Sequence, residues 1–187
     1  LASSFNRTIT VLGTDPGAGE LLTVAGGVSF LMDEPITFRV SAWPSYLPIV
    51  RYAWDLDHDP SSGFKETPGI SINQTTCSFP APGEYRVCVR IYDANSFTER
   101  FLTVAINNVP PTAKFVSQIS GTGQVTFDGS GSLDSVTDVS GLEYRWFFGD
   151  GSGWTPWSNV SDASHQYSTD GIYQTSLEVR DRWGEVD

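Results

Sequence analysis

The sequence predicts an all-β chain built as two sandwiches in tandem, and three observations carry that prediction. First, an aromatic pair at strand spacing runs into an Asp- and Gly-rich turn twice, at Tyr52-Ala53-Trp54-Asp55-Leu56-Asp57-His58-Asp59 and at Tyr144-Arg145-Trp146-Phe147-Phe148-Gly149-Asp150-Gly151. Second, each copy is followed by a Gly corner and an alternating run, Pro82-Gly83-Glu84-Tyr85-Arg86-Val87-Cys88-Val89 and Asp170-Gly171-Ile172-Tyr173-Gln174-Thr175-Ser176-Leu177. Third, no stretch of about ten residues shows the 3.6-residue period of an amphipathic helix.

Bulk properties set bounds on this reading. The 187 residues suit two small domains, each large enough for its own core. With 39% hydrophobic and 13% aromatic residues the chain is globular rather than disordered. Lys plus Arg number 11 against 22 Asp plus Glu, a net charge of -11. That balance excludes nucleic acid and anionic membrane surfaces, which need cations, and leaves divalent cations as partners. No apolar run approaches the roughly 20 residues that cross a bilayer, and no leader pattern opens the chain. Leu1 stands first without a Met, which reads as a mature or excised piece of a longer protein.

Taken in order, Thr8 to Val11 reads as a short strand closed by the turn-rich Gly13 to Gly19. The stretch Ser4 to Val11 follows the pattern of Ser96 to Val104, so residues 1–20 are expected to be the closing strand and linker of a preceding repeat. Residues 21–108 form a complete unit. Its strands are expected at Gly27 to Phe30, Ile36 to Val40, Ile49 to Leu56, Ile70 to Phe79, Glu84 to Tyr92 and Phe97 to Ile106, with Asp33-Glu34-Pro35 and Asp93-Ala94-Asn95-Ser96 as turns. Asn107-Asn108-Val109-Pro110-Pro111 is a short linker stiffened by two prolines, which restricts the angle between the units. Residues 109–187 repeat the order at Thr112 to Ser117, Gln124 to Gly129, Leu142 to Phe148, Ala163 to Tyr167 and Gly171 to Arg180, and stop where the first unit begins its final strand.

Short strands with frequent turns and no helices bury one face each when two sheets pack together. Trp54 and Trp146 are the expected central core residues. Tyr85 and Tyr173, just past a Gly corner, suit the role in which a buried ring sends its hydroxyl back to the backbone.

The residues of the second unit resemble the PKD (polycystic kidney disease) domain signature. They are Tyr144-x-Trp146-x-Phe148-Gly149-Asp150-Gly151, His165-Gln166-Tyr167, Gly171-Ile172-Tyr173 with Leu177, Val179 and Asp181, and Phe127-Asp128-Gly129-Ser130-Gly131-Ser132. The first unit is similar but diverged, with Leu56-Asp57-His58-Asp59 in place of Phe-Gly-Asp-Gly and Cys77-Ser78-Phe79 in place of His-x-Tyr. The resemblance implies tandem immunoglobulin-like β-sandwiches, used on extracellular and cell-surface proteins as spacer, adhesion or substrate-contact modules.

Chemistry-bearing residues are few. Asp55, Asp57 and Asp59 alternate, and Ser61, Gly63 and Glu66 fall at further offsets of a calcium loop, with Asp55, Asp57, Asp59 and Glu66 as the candidate calcium ligands. Pro60 stands where that loop needs Gly, so a solvated acidic turn competes with the metal reading. Cys77 and Cys88 are either bridged, worth roughly 3 kcal/mol by loop closure, or two free thiols. Alternation puts Cys77 with Phe79 and Cys88 against Tyr85, Val87 and Val89, so one faces in and the other out. Asn6, Asn73 and Asn159 open N-x-S/T triplets that fit N-glycosylation in a secreted glycoprotein. Trp154 and Trp157, with the weaker pair Trp43 and Tyr46, form either a stacking platform for a ligand or partner or a lid over the sandwich. His58 and His165 lie in different units with no nucleophile or metalloprotease motif beside them, so no enzyme is expected.

Three functions remain open. The chain is a non-catalytic extracellular structural or adhesive module, a stalk or filament touching neighbouring repeats or other surface proteins. Alternatively it is an accessory region of a secreted hydrolase that holds polysaccharide or fibrous protein. A third reading is a filament subunit assembled by strand exchange, in which the opening strand of one copy completes the second unit of the next.

Overall fold

The computed structural model describes residues 7–12, 28–42 and 48–187, and apart from one 3₁₀ turn all regular elements in them are strands. The chain divides into two compact units, Leu1–Asn108 and Val109–Asp187. All-β architecture thus holds for the described residues of both.

The strands of the first unit are β1 (Arg7–Leu12), β2 (Val28–Leu31), β3 (Ile36–Ser41), β4 (Arg51–Asp55), β5 (Gln74–Cys77), β6 (Gly83–Tyr92) and β7 (Phe97–Asn107). One sheet has the order β1-β3-β5 and the other β2-β7-β6-β4. The β1–β3 and β2–β7 pairs are parallel and the rest antiparallel. Alternation dictates which face is covered: Ile36, Phe38 and Val40 are buried, while Thr37 and Arg39 turn outward to bond Thr76 and Gln74 across to β5. On β6 the residues Val87, Val89 and Ile91 fill the core between the sheets. Arg7–Leu12, expected to close a preceding repeat, runs beside β3 from Arg7↔Ile36 to Leu12↔Ser41.

Trp54 is 1% exposed, and its indole N–H donates to the Ile72 carbonyl at 2.9 Å. That bond takes Ile72 out of the ladder, and the strand expected from Ile70 to Phe79 shortens to Gln74–Cys77.

The second unit contains β8 (Val116–Gly121), β9 (Gln124–Asp128), β10 (Glu143–Phe147), β11 (Asp162–Gln166) and β12 (Ser176–Arg180), with the 3₁₀ turn Val139–Gly141 before β10. Sheets β8-β9-β11 and β10-β12 are both antiparallel. Phe127 from one sheet and Tyr144, Trp146, Leu177 and Val179 from the other join Leu142, Phe148 and Tyr167 in a single core. The Trp146 ring meets Phe115 edge-on at 5.2 Å and lies 5.4 Å from Phe127.

Two expected strands move. Thr112 makes only an isolated bridge to Leu133, and the strand begins later, at Val116. The run from Gly171 becomes a ladder only at Ser176. The first unit supplies the reason: there Gly83 to Val87 pairs with β7 alone, and only Cys88 to Tyr92 also pairs with β4. No strand of the second unit takes the place of β7, so the matching residues have no ladder to join. Ile119 does join a ladder, opposite Val125 of β9, but lacks cover. It stands as far before Phe127 as Phe30 before Phe38, yet Phe30, paired with Ile106 of β7, is 2% exposed and Ile119 is 77% exposed.

The two central tryptophans differ in one testable respect. The indole N–H of Trp146 is buried with no hydrogen-bond partner, whereas that of Trp54 has the Ile72 carbonyl. Trp54→Phe is therefore expected to cost roughly 0.5–1.5 kcal/mol more than Trp146→Phe, because it alone gives up a hydrogen bond. Native-state hydrogen exchange read separately on β6 and β12 measures both losses; equal losses would contradict this assignment.

Candidate functional site

The features that carry chemistry gather at the turn after each central strand. In the second unit β10 ends at Phe147, Phe148 points into the core, and the chain reverses at Gly149 with φ of 78°. A Cβ at Gly149 would lie 2.4 Å from the Gln174 carbonyl oxygen, so glycine is required there for both conformation and space. Asp150 then closes the turn: its Oδ1 accepts from the Ser152 amide and hydroxyl at 3.1 and 2.6 Å, and its Oδ2 lies 2.7 Å from His165 Nε2. Ser152 foremost, and then His165, hold the Asp150 carboxyl well below the usual carboxylate range.

His165 and Tyr167 reach this turn from the opposite sheet. The His165 ring stacks on Phe148 at 4.1 Å, and the Tyr167 hydroxyl donates to the Phe148 carbonyl at 3.0 Å. Tyr167 in turn stacks on Tyr173 at 4.1 Å, and the Tyr173 hydroxyl donates to Thr169 O at 2.7 Å. The first unit has the same corner: Tyr85 donates to Ala81 O at 3.0 Å and packs on Phe79. Both tyrosines expected at Gly corners thus bond the backbone.

The first unit closes its turn differently. Asp55 is 4% exposed, and its Oδ2 accepts from the Lys65 amide at 2.9 Å and sits 2.9 Å from His58 Nδ1. The His58 amide donates to Arg86 O at 2.7 Å. Asp59 caps its own turn through the Ser61 amide and hydroxyl, which lower its carboxyl, and Glu66 pairs with Arg51. Asp57 is exposed. The structure does not bring Asp55, Asp57, Asp59 and Glu66 together as a cage; three of the four are engaged in these separate bonds. Among the described residues no group of three or more His, Cys, Asp or Glu is placed to hold a metal ion.

No bridge joins Cys77 and Cys88; both thiols are free. Cys77 follows buried Thr75 on the inner side of β5, while Cys88 alternates with inward Val87 and Val89 and is buried on the outer side of β6. Burial pushes the Cys77 thiol up to about 11 and that of Cys88 up to about 12, the latter with help from Glu99 and Asp55, so neither is a thiolate at neutral pH.

Trp154 and Trp157 lie on a segment that folds back along β10, bridged at Phe147↔Trp154 and Tyr144↔Ser158. The Thr155 amide donates to Trp146 O at 2.8 Å. Trp154 packs 5.5 Å from Phe147, and the guanidinium carbons of Arg145 and Arg180 lie 4.6 and 4.4 Å from the Trp157 ring. Arg145 also pairs with Glu178 and Arg180 with Glu143, so the tryptophans cover a charge ladder on the outer face of β10 and β12. Trp154 remains 40% exposed. A similar cover occurs in the first unit, where the Thr67 amide donates to Trp54 O and Phe64 lies 4.0 Å from the Arg90 guanidinium. Asn73 and Asn159 are exposed; Trp43, Tyr46 and Asn6 lie outside the described residues.

Asp138 was not singled out from the sequence. It is fully buried, and its carboxylate accepts from the Arg182 guanidinium and from Trp183 Nε1, the latter at 2.8 Å. Its only sequence signal is the Arg182-Trp183 pair, whose two donors converge on it.

The fold and these turns define a small β-sandwich module in which short polar links join turn to sheet. Residues 108–187, which span the second unit, match the family model of the PKD domain. Among solved structures the chain is similar to the fibronectin(III)-like modules of Clostridium thermocellum CbhA, at 14% identity over 89% of this chain and 87% of that one with a TM-score of 0.35. It is similar to a carbohydrate-binding module of the beta-sandwich super family at 11% identity, over 81% of this chain and 79% of that one, TM-score 0.34. It is also similar to the CD2-binding domain of CD58, at 12% identity over 97% and 95% of the two chains, TM-score 0.30. No helix among the described residues is long and apolar enough to cross a membrane.

A carboxyl held low in the folded state stabilises fully above its unfolded pKa, about 3.9, and loses that contribution as pH falls through the folded value. The thermal midpoint of the second unit is therefore expected to fall on acidification below about pH 4. Asp150→Asn is expected to lie below wild type at pH 7 and to converge with it at low pH; curves that stay parallel in a calorimetric pH series would contradict the role given to Asp150.

Proposed function

We propose that this chain is a non-catalytic structural module of an extracellular protein, serving as a spacer or adhesive element between neighbouring repeats or other surface proteins. One observation carries the reading: the groups suited to chemistry are committed to holding turns. Asp150 and His165 bond each other, Asp55 is enclosed by His58 and the Lys65 amide, and both thiols are buried enough to stay neutral. The PKD match of the second unit and the net charge of -11 support an extracellular setting.

A second reading, in which the module holds polysaccharide, is favoured by the partial exposure of Trp154 on the outer face of β10. Sedimentation of the full chain with insoluble glycans separates the two. The structural reading predicts that wild type and the Trp154→Ala, Trp157→Ala double variant both stay in the supernatant. Retention of wild type that is lost in the folded double variant would overturn it in favour of glycan binding.

A further inference from the structure

We propose that Asn159 is an occupied N-glycosylation site whose first N-acetylglucosamine packs against Trp157. The triplet Asn159-Val160-Ser161 lies in the exposed connection between the segment bridged to β10 and the start of β11. Asn159 and Val160 are exposed, and Ser161 is only half-buried, so the acceptor amide and the hydroxyl remain presented after folding. Ser158 is held on the edge of β10 by two bonds to Tyr144, at 2.7 and 3.0 Å. Past Ser158 the chain bends at Asn159, where the Val160 amide donates to Ser158 Oγ at 3.1 Å, so the acceptor asparagine turns out of the chain two residues after Trp157.

Trp157 is itself positioned. Arg145 and Arg180 lie against its ring, and each is tied by an ion pair across β10 and β12, so the indole needs little further ordering to receive a sugar. The apolar C–H face of a pyranose suits an aromatic ring of this kind. The other described triplet differs on both counts. Asn73 has Ser71 two residues before it rather than an aromatic, and the hydroxyl residue Thr75 is buried within β5.

The donor is a polyprenyl-pyrophosphate-linked oligosaccharide. A bond forms between Asn159 Nδ2 and the sugar C1 as the C1–O bond to pyrophosphate breaks; the lipid pyrophosphate leaves with the bonding electrons, and one amide proton passes to the transferase. The proposal rests on the extracellular reading, since the transfer occurs during secretion. For that reason the test supplies secretion from outside: the full chain is fused to a secretion leader in a glycosylating eukaryotic host and collected from the medium.

Glycopeptide mass spectrometry is expected to find Asn159 occupied in most secreted molecules. Trimming to the single attached N-acetylglucosamine is expected to preserve a rise in thermal midpoint of roughly 3 °C over Asn159→Gln, the scale of one modest contact in a domain of this size. In Trp157→Ala the rise is expected to vanish. An unmodified Asn159 in secreted wild type, or an equal rise in Trp157→Ala, would overturn the proposal. If Trp157→Ala is not secreted, a wild-type midpoint no higher than that of Asn159→Gln overturns it equally.

Discussion

The carbonyl of Phe148 lies one residue past the end of β10 and takes its hydrogen from the Tyr167 hydroxyl on the opposite sheet. Much of the second unit depends on that bond. Its five strands are five or six residues long, so the ladders alone give the two sheets little to hold them in register. The link from Tyr167 to Phe148, with His165 stacked on the Phe148 ring and bonded to Asp150, joins one sheet to the turn that leaves the other. Gly149 makes the link geometrically feasible by letting that turn back onto Gln174.

The first unit meets the same constraint with other residues. Position for position, Asp57 stands where Gly149 does, and no residue from Asp55 to Asp59 has positive φ. The chain there leaves the sheet in another way, and a buried carboxylate, Asp55, holds it by accepting from the Lys65 amide and meeting His58. A buried carboxylate is tolerable only when donors surround it. The calcium pattern read from Asp55, Asp57 and Asp59 came from spacing alone, and spacing does not distinguish carboxylates that converge on an ion from carboxylates that, like Asp55 and Asp59, cap separate backbone donors.

What was legible follows from period and from turn chemistry. The strands at Ile36, Glu84, Phe97 and Gln124, the central tryptophans, and the tyrosines after the Gly corners all announce themselves locally. So does the opposed orientation of Cys77 and Cys88, which follows from alternation. What was not legible depends on partners distant in sequence. The late start of β12 reflects a missing ladder neighbour, the trimming of β5 follows a side-chain bond from Trp54, and the burial of Asp138 requires Arg182 and Trp183 to converge from the far end of the unit. The pair Trp154 and Trp157 is intermediate: its presence on a turn was visible, but its use as a cover over Arg145 and Arg180 depends on the fold-back along β10.

If the turn after the central strand is the link on which the second unit depends, the smallest change that breaks it is a single methyl group. Hydrogen–deuterium exchange of the full chain carrying Gly149→Ala tests this directly. The left-handed backbone and the clash with Gln174 together predict a loss of at least about 2 kcal/mol, with protection falling in β10 and β12 while β6 of the first unit keeps its own. Unchanged protection in β10 and β12 would contradict the account.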